Sequence, residues 1–108
     1  MSWLSSGRIT NPTLDQVLLD TGALPAGVYF FAAYGAGSVA SVFEVQHRDA
    51  TNTVTLKSQI IAAAASSIAP KFEVSERTPL TLAANERIRI IAVAAIVGAV
   101  SVSLLINT

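Results

Sequence analysis

The chain has one histidine, His47, and seven carboxylates, Asp15, Asp20, Glu44, Asp49, Glu73, Glu76 and Glu86, from which any acid–base chemistry must be built. A Ser-His-Asp relay is formally possible with Asp49 or Asp15. No serine, however, stands in the Gly-x-Ser-x-Gly elbow that exposes a nucleophile. Glu44, His47 and Asp49 are the nearest approach to a metal-ligand cluster. Residues three apart on a strand point to opposite faces, so Glu44 and His47 cannot converge on one ion. Glycosidic chemistry needs two acids that face each other. Nearly all the acids here lie beside turns or on the polar phase of strands, where a carboxylate is simply solvated. Gly35-Ala36-Gly37 lacks the third glycine and the following helix of a dinucleotide site. There are no cysteines, which removes disulfides and thiolate metal sites. The residues predict no catalytic, metal or cofactor site and a protein that is not an enzyme.

What remains are residues suited to contact. Arg87 and Arg89 share a strand face, and two readings apply to them. They pair with acids on a neighbouring strand, or they cross a subunit boundary, where bidentate arginine contacts give specificity. Arg8 carries the same two readings. Trp3 and Leu4 are large apolar side chains on an otherwise polar segment. Either they fold back on the domain's own core or they dock on a neighbouring subunit and bury Trp3 there. These five residues are the candidate partner contacts. The basic residues do not cluster and the formal net charge is zero, so neither nucleic acid nor an anionic membrane is expected as a partner.

The elements that position these residues read as strands. Val100, Val102, Leu104 and Ile106 alternate with Ser101, Ser103, Leu105 and Asn107, close to the period of two of a half-buried strand. Arg87 and Arg89 alternate with Ile88 and Ile90. The stretch Ile91–Ile106 is short for a membrane-spanning helix and has Gly98 and two serines inside it. A pair of strands with a turn near Ile96–Ala99 is the expectation.

Upstream, Asp15–Asp20, Val28–Tyr34, Val39–Arg48, Thr53–Ile61, Lys71–Glu76 and Leu80–Leu82 are further strand candidates. Phe72 and Val74 are expected to face inward. Asp49-Ala50-Thr51-Asn52 closes a hairpin, because Asp and Asn cap their own backbone and tolerate left-handed angles. Gly35–Ser38 reads as a turn, and Ala62–Ser67 as a connection with some helical character. Turn signals recur about every ten residues, and there is neither a long amphipathic helix nor a βαβ spacing. The expected fold is all-β: an antiparallel β-sandwich over residues 15–108, jelly-roll-like with about eight strands, preceded by an extended N-terminal arm over residues 1–14. Met1–Ser6 has no basic or apolar region of the kind a signal peptide needs.

Charged residues make up 13% of the chain and hydrophobic ones 52%, against a usual charged share of about 25%. A small domain has much surface for its volume, so this one is short of charge to coat itself. Coverage by other subunits is the simplest account.

Three segments carry a resemblance: Leu24-Pro25-Ala26-Gly27-Val28-Tyr29, Phe43-Glu44-Val45-Gln46-His47-Arg48-Asp49-Ala50, and Leu82-Ala83-Ala84-Asn85-Glu86-Arg87-Ile88-Arg89. In these the chain resembles small all-β virion proteins of tailed bacteriophages, nearest the head decoration, or cement, proteins. The likeness lies in turn-and-strand style and order and runs over most of the chain after Asp15. It implies a jelly-roll-like domain that oligomerises, often as a trimer, on the outer capsid surface. Such a domain would bind the major capsid protein and bridge neighbouring capsomers, with the host cytoplasm as its place of assembly. It carries over no functional residue.

Overall fold

Alternating β-branched and polar side chains, cut by Gly, Pro, Asn and Asp, leave this chain few options besides short paired strands. The computed structural model describes residues 2–66, 68–71 and 80–107. Its strands are β1 (Ser2–Ser5), β2 (Ile9–Thr10), β3 (Val17–Asp20), β4 (Gly27–Gly37), β5 (Ser41–Arg48), β6 (Thr55–Ala63), β7 (Ile68–Lys71), β8 (Leu80–Leu82), β9 (Arg87–Ala92) and β10 (Ala99–Asn107). No helix occurs among the described residues.

The strands form two antiparallel sheets packed face to face. The larger runs β1-β10-β4-β7, with β2 also on β10 and β8 pairing with β4. The smaller runs β3-β9-β5-β6. The fold is therefore an all-β sandwich. Its core is the set of inward residues from both sheets. Phe31, Ala33, Val102 and Leu104 come from the larger sheet, and Phe43, Val45, Ile61, Ile88 and Ile90 from the smaller.

The long C-terminal strands sit inside their sheets, with strands on both sides, but they do not pair with each other. β9 lies between β3 and β5, whereas β10 lies between β1 and β4 in the other sheet. Val93–Gly98 is thus a crossing between sheets and not a hairpin turn. Asn11 supports it: its backbone N–H donates to the Gly98 carbonyl at 2.8 Å, and its Oδ1 accepts the Gly98 N–H at 2.9 Å.

The segment expected as an extended arm is extended and lies along the edge of β10. Ser2–Ser5 pair with Ser103–Ile106, and Ile9 and Thr10 with Val100 and Ala99. The unsatisfied edge of β10 gives this segment backbone partners, which a projecting arm would lack.

Gly35–Gly37 is not a turn either. β4 runs straight through it, with Gly35 and Gly37 on the inward phase. A Cβ at Gly35 would stand 2.6 Å from Cδ2 of Phe43, and one at Gly37 would strike the Ser41 hydroxyl. These glycines mark where the second sheet comes close, not where the chain reverses. The alanine run likewise continues β6 as far as Ala63 before the turn at Ala65 and Ser66. Its partners on β5, from Ser41 to Phe43, hold it extended. Of the expected strand Lys71–Glu76, Lys71 ends β7, and the rest, Phe72 and Val74 included, lies outside the described residues.

The β5–β6 hairpin forms as expected, with Val45 opposite Gln59 and His47 opposite Lys57. On its return side Ile61 and Ala63 are buried, while Val54, Leu56 and Ile60 are exposed. Asp49 organises the tip. Its Oδ1 accepts the Thr53 N–H at 2.8 Å and the Val54 N–H at 3.2 Å, and the hydroxyls of Thr51 and Thr53 donate to Oδ2. These N–H groups, Thr53 foremost, pull its carboxyl from 3.8 down to about 2. A depressed carboxyl stabilises the fold fully above 3.8, and that contribution is lost as pH falls toward about 2. Asp49→Asn is therefore expected to lower the urea midpoint at neutral pH and to flatten its decline on acidification. Parallel acid slopes for the two proteins would show that Asp49 does not hold the hairpin.

Candidate interaction surfaces

The outward face of the larger sheet is built by the second phase of the same strands. Across β1, β10 and β4 the register aligns Trp3 with Leu105 and Ala32, then Ser5 with Ser103 and Tyr34. Phe30 pairs with Asn107 at one end and Ala36 with Ser101 at the other. The described side chains that β1, β10 and β4 turn to this face carry no charge. Trp3 is 56% exposed, and its ring centroid lies 5.8 Å from that of Tyr34 with the planes tilted by 43°. Val28 adds another exposed apolar side chain. Leu4 has the opposite phase and packs, half-buried, against the core. Strand alternation thus divides the two arm residues: Leu4 follows the fold-back reading, and Trp3 stays on the surface. Tyr34 beside Trp3 was not predicted as a contact residue, because only the β1–β10–β4 register brings the two together.

Arg8 is exposed in the short link between β1 and β2. It borders a shallow cavity of about 290 Å³ at the end of this face, lined also by Ala36, Ser38, Ser66 and Ser101. No described carboxylate pairs with it.

Arg87 and Arg89 lie on the outward face of the other sheet, apart from Trp3 and Arg8. The structure therefore divides the five predicted contacts between opposite sides of the sandwich and the core. Arg89 stands across from Asp20 on β3 and from Gln46 on β5. Its Nε donates to Gln46 Oε1 at 2.5 Å. Desolvation, and then repulsion from Arg48, pull its pKa below the usual arginine value. Arg87 NH1 is 3.9 Å from Asp20 Oδ1, an ion pair too long to be a hydrogen bond. The reading as a pair with a neighbouring strand's acid is thus met only loosely.

The histidine sits where acid–base chemistry has little access. His47 is buried on the inward phase of β5, with Nε2 3.0 Å from Glu86 Oε1. Glu86 also accepts the Ala83 N–H at 2.8 Å, and that bond, ahead of desolvation and His47, sets the net lowering of its carboxyl below the ordinary glutamate value. The pair ties the turn after β8 to the end of β5. Nothing in sequence spacing points to Glu86 as the partner, since 39 residues separate them. Glu44, as expected, points to the other face. No group of three His, Asp or Glu side chains that could hold a metal occurs among the described residues. No described helix is long and apolar enough to cross a membrane.

Compared with known proteins, the chain matches no family model and no curated sequence.

Proposed function

We propose that the chain is a structural virion protein: a decoration, or cement, protein of a tailed-bacteriophage head. It associates with copies of itself, in trimers on the pattern the resemblance implies, and stabilises contacts between neighbouring capsomers on the outer surface. The observation that carries this reading is the face around Trp3. A large aromatic side chain stands mostly in solvent on a sheet face with no charged side chain among its described residues. Soluble domains seldom leave such a patch uncovered. Aromatic anchors with few charges are typical of the centre of an interface. The strand order, β1-β10-β4-β7 against β3-β9-β5-β6, supports a jelly-roll reading, an architecture common among capsid domains.

The test is light scattering on the purified chain with a binding assay on phage heads that lack it. Oligomers at micromolar concentration and saturable binding to heads are the expected result. A monomer that ignores heads would end the proposal.

One observation favours a second reading, a carbohydrate- or receptor-binding module of a phage tail or fibre. Trp3 and Tyr34 together make an aromatic surface beside the hydroxyls of Ser5 and Ser103, suited to stacking a sugar ring. Glycan-array binding by a monomer, abolished by Trp3→Ala, would select this reading over the first.

A further inference from the structure

The outward face of the smaller sheet carries more guanidinium than it satisfies. β9 presents Arg87 and Arg89, and β5 presents Arg48 directly opposite Arg87. Like charges facing each other across an antiparallel pair oppose the pairing. Arg48 is a fixed charge: Nε donates to Asn52 Oδ1 at 2.9 Å, NH1 to Thr55 Oγ1 at 2.8 Å and NH2 to the Asn52 carbonyl at 2.8 Å. All three acceptors are neutral, as is the Gln46 amide that holds Arg89 Nε. Arg87 is the least committed. Its closest carboxylate oxygen is the Asp20 atom at 3.9 Å, and its Nε is enclosed without an acceptor. The described acids that attract Arg89 are Asp20, at the β3 edge, Glu44 and Asp15, and none of them forms an ion pair with it. Glu44 lies across from Ile60 and Ile91 and forms no ion pair with these arginines.

We infer that Arg48, Arg87 and Arg89 form a docking site for a carboxylate-bearing segment of a partner protein, laid on the outer face of the smaller sheet. Arg87 makes no side-chain hydrogen bond to a described residue, so turning toward an incoming carboxylate costs it only the long ion pair with Asp20. The terminal nitrogens of Arg89 make no hydrogen bond to a described residue and offer the fork that a carboxylate accepts with both oxygens. Arg48, locked at the hairpin base, supplies attraction without moving. An incoming negative charge also relieves the repulsion between Arg48 and Arg87.

The surroundings favour a protein over a nucleic acid. Val17 on β3, Val42 on β5 and Ile60 on β6 are 43%, 40% and 48% exposed in the same sheet. Arginine set beside exposed aliphatic side chains is the composition of a protein interface. A nucleic-acid site needs a longer basic track, and a chain of zero net charge gives no long-range pull on a polyanion. The site is independent of the Trp3 face and stands whether or not copies associate there.

The test is a titration of the isotope-labelled full chain with a short glutamate-rich peptide, observed at the arginine Nε–Hε resonances. The glutamine-for-glutamate peptide and a single-stranded oligonucleotide are titrated in parallel. The glutamate peptide is expected to shift Arg87 and Arg89 but not Arg8, and to weaken as salt is raised. Its affinity is expected to fall about ten-fold or more in Arg87→Gln/Arg89→Gln and to be unchanged in Arg8→Gln. Arg87→Lys/Arg89→Lys keeps the charge and loses the fork, so intermediate affinity is expected. No shift at Arg87 and Arg89 in the native chain would overturn the inference, a result that does not depend on any variant folding. Equal binding of the glutamine peptide, or tighter binding of the oligonucleotide, would overturn it too.

Discussion

Gly35→Ala is expected to cost about 1–3 kcal/mol of stability in the native chain and far less in a chain that already carries Phe43→Ala. The new Cβ would lie 2.6 and 2.7 Å from two carbons of the Phe43 ring, far inside van der Waals contact. Phe43 is fully buried at the centre of the smaller sheet's inward face, so the ring has little room to move aside. Phe43→Ala alone should cost about 3–5 kcal/mol through lost burial and the cavity left behind. For a domain of this size that is a large part of a total near 5–15 kcal/mol. The cavity would then accept the alanine methyl, leaving only an ordinary contact with Ile61 Cγ2 at 3.5 Å. Urea denaturation of the two single variants and the double closes the cycle. The two changes should couple favourably by about 1 kcal/mol or more. An equal cost of Gly35→Ala in both backgrounds would show that something other than the Phe43 ring excludes a side chain there.

That pair of residues also shows where a linear reading runs out. Alternation identifies the buried phase wherever one face of a strand is apolar, as at Val100–Ile106 or Ile88 and Ile90, because a side chain's face follows from its parity alone. Parity says nothing about which strands are neighbours. The two C-terminal strands look like a hairpin and belong to different sheets. A glycine between strand-like residues has two physical causes, a reversal or a close approach, and only the position of Phe43 separates them. Ile60 and Ile61 are equivalent in composition. The register with β5 turns Ile61 inward and leaves Ile60 on the surface. The five contact candidates were legible as residue types out of keeping with their surroundings. Their division between two faces was not, nor were the contributions of Tyr34 and Arg48, which depend on cross-strand register.

The two outward faces differ in chemistry, one aromatic and without charge among its described side chains, the other arginine set among aliphatic side chains. A protein that holds a larger assembly together needs more than one contact surface, and this sandwich offers a distinct one on each sheet. Neither surface is needed to complete the core, which the inward phases fill by themselves. Substitutions on the faces should therefore separate association from folding.

Trp3→Ala is expected to weaken self-association by about 2 kcal/mol or more, roughly thirty-fold, while changing folding stability by no more than about 1 kcal/mol. The stability cost is small because the side chain is 56% exposed, and the main folded contact it loses is the tilted packing on Tyr34. The association cost is large because tryptophan is the residue whose truncation most often empties an interface centre. The face is also large enough to matter. Three lanes about 4.8 Å apart along a nine-residue β10 cover roughly 440 Å² before side-chain relief is counted. A standard interface buries about 800 Å² on each partner. Leu4→Ala provides the opposite case one residue away. Its side chain has the inward phase and packs on the core, so about 1–2 kcal/mol of stability should go while association in the folded protein is retained. Sedimentation across a concentration series, paired with urea denaturation of each variant, reads both quantities. If Trp3→Ala associates as tightly as the native chain, this face is not where copies meet, and the self-association reading loses the observation it rests on.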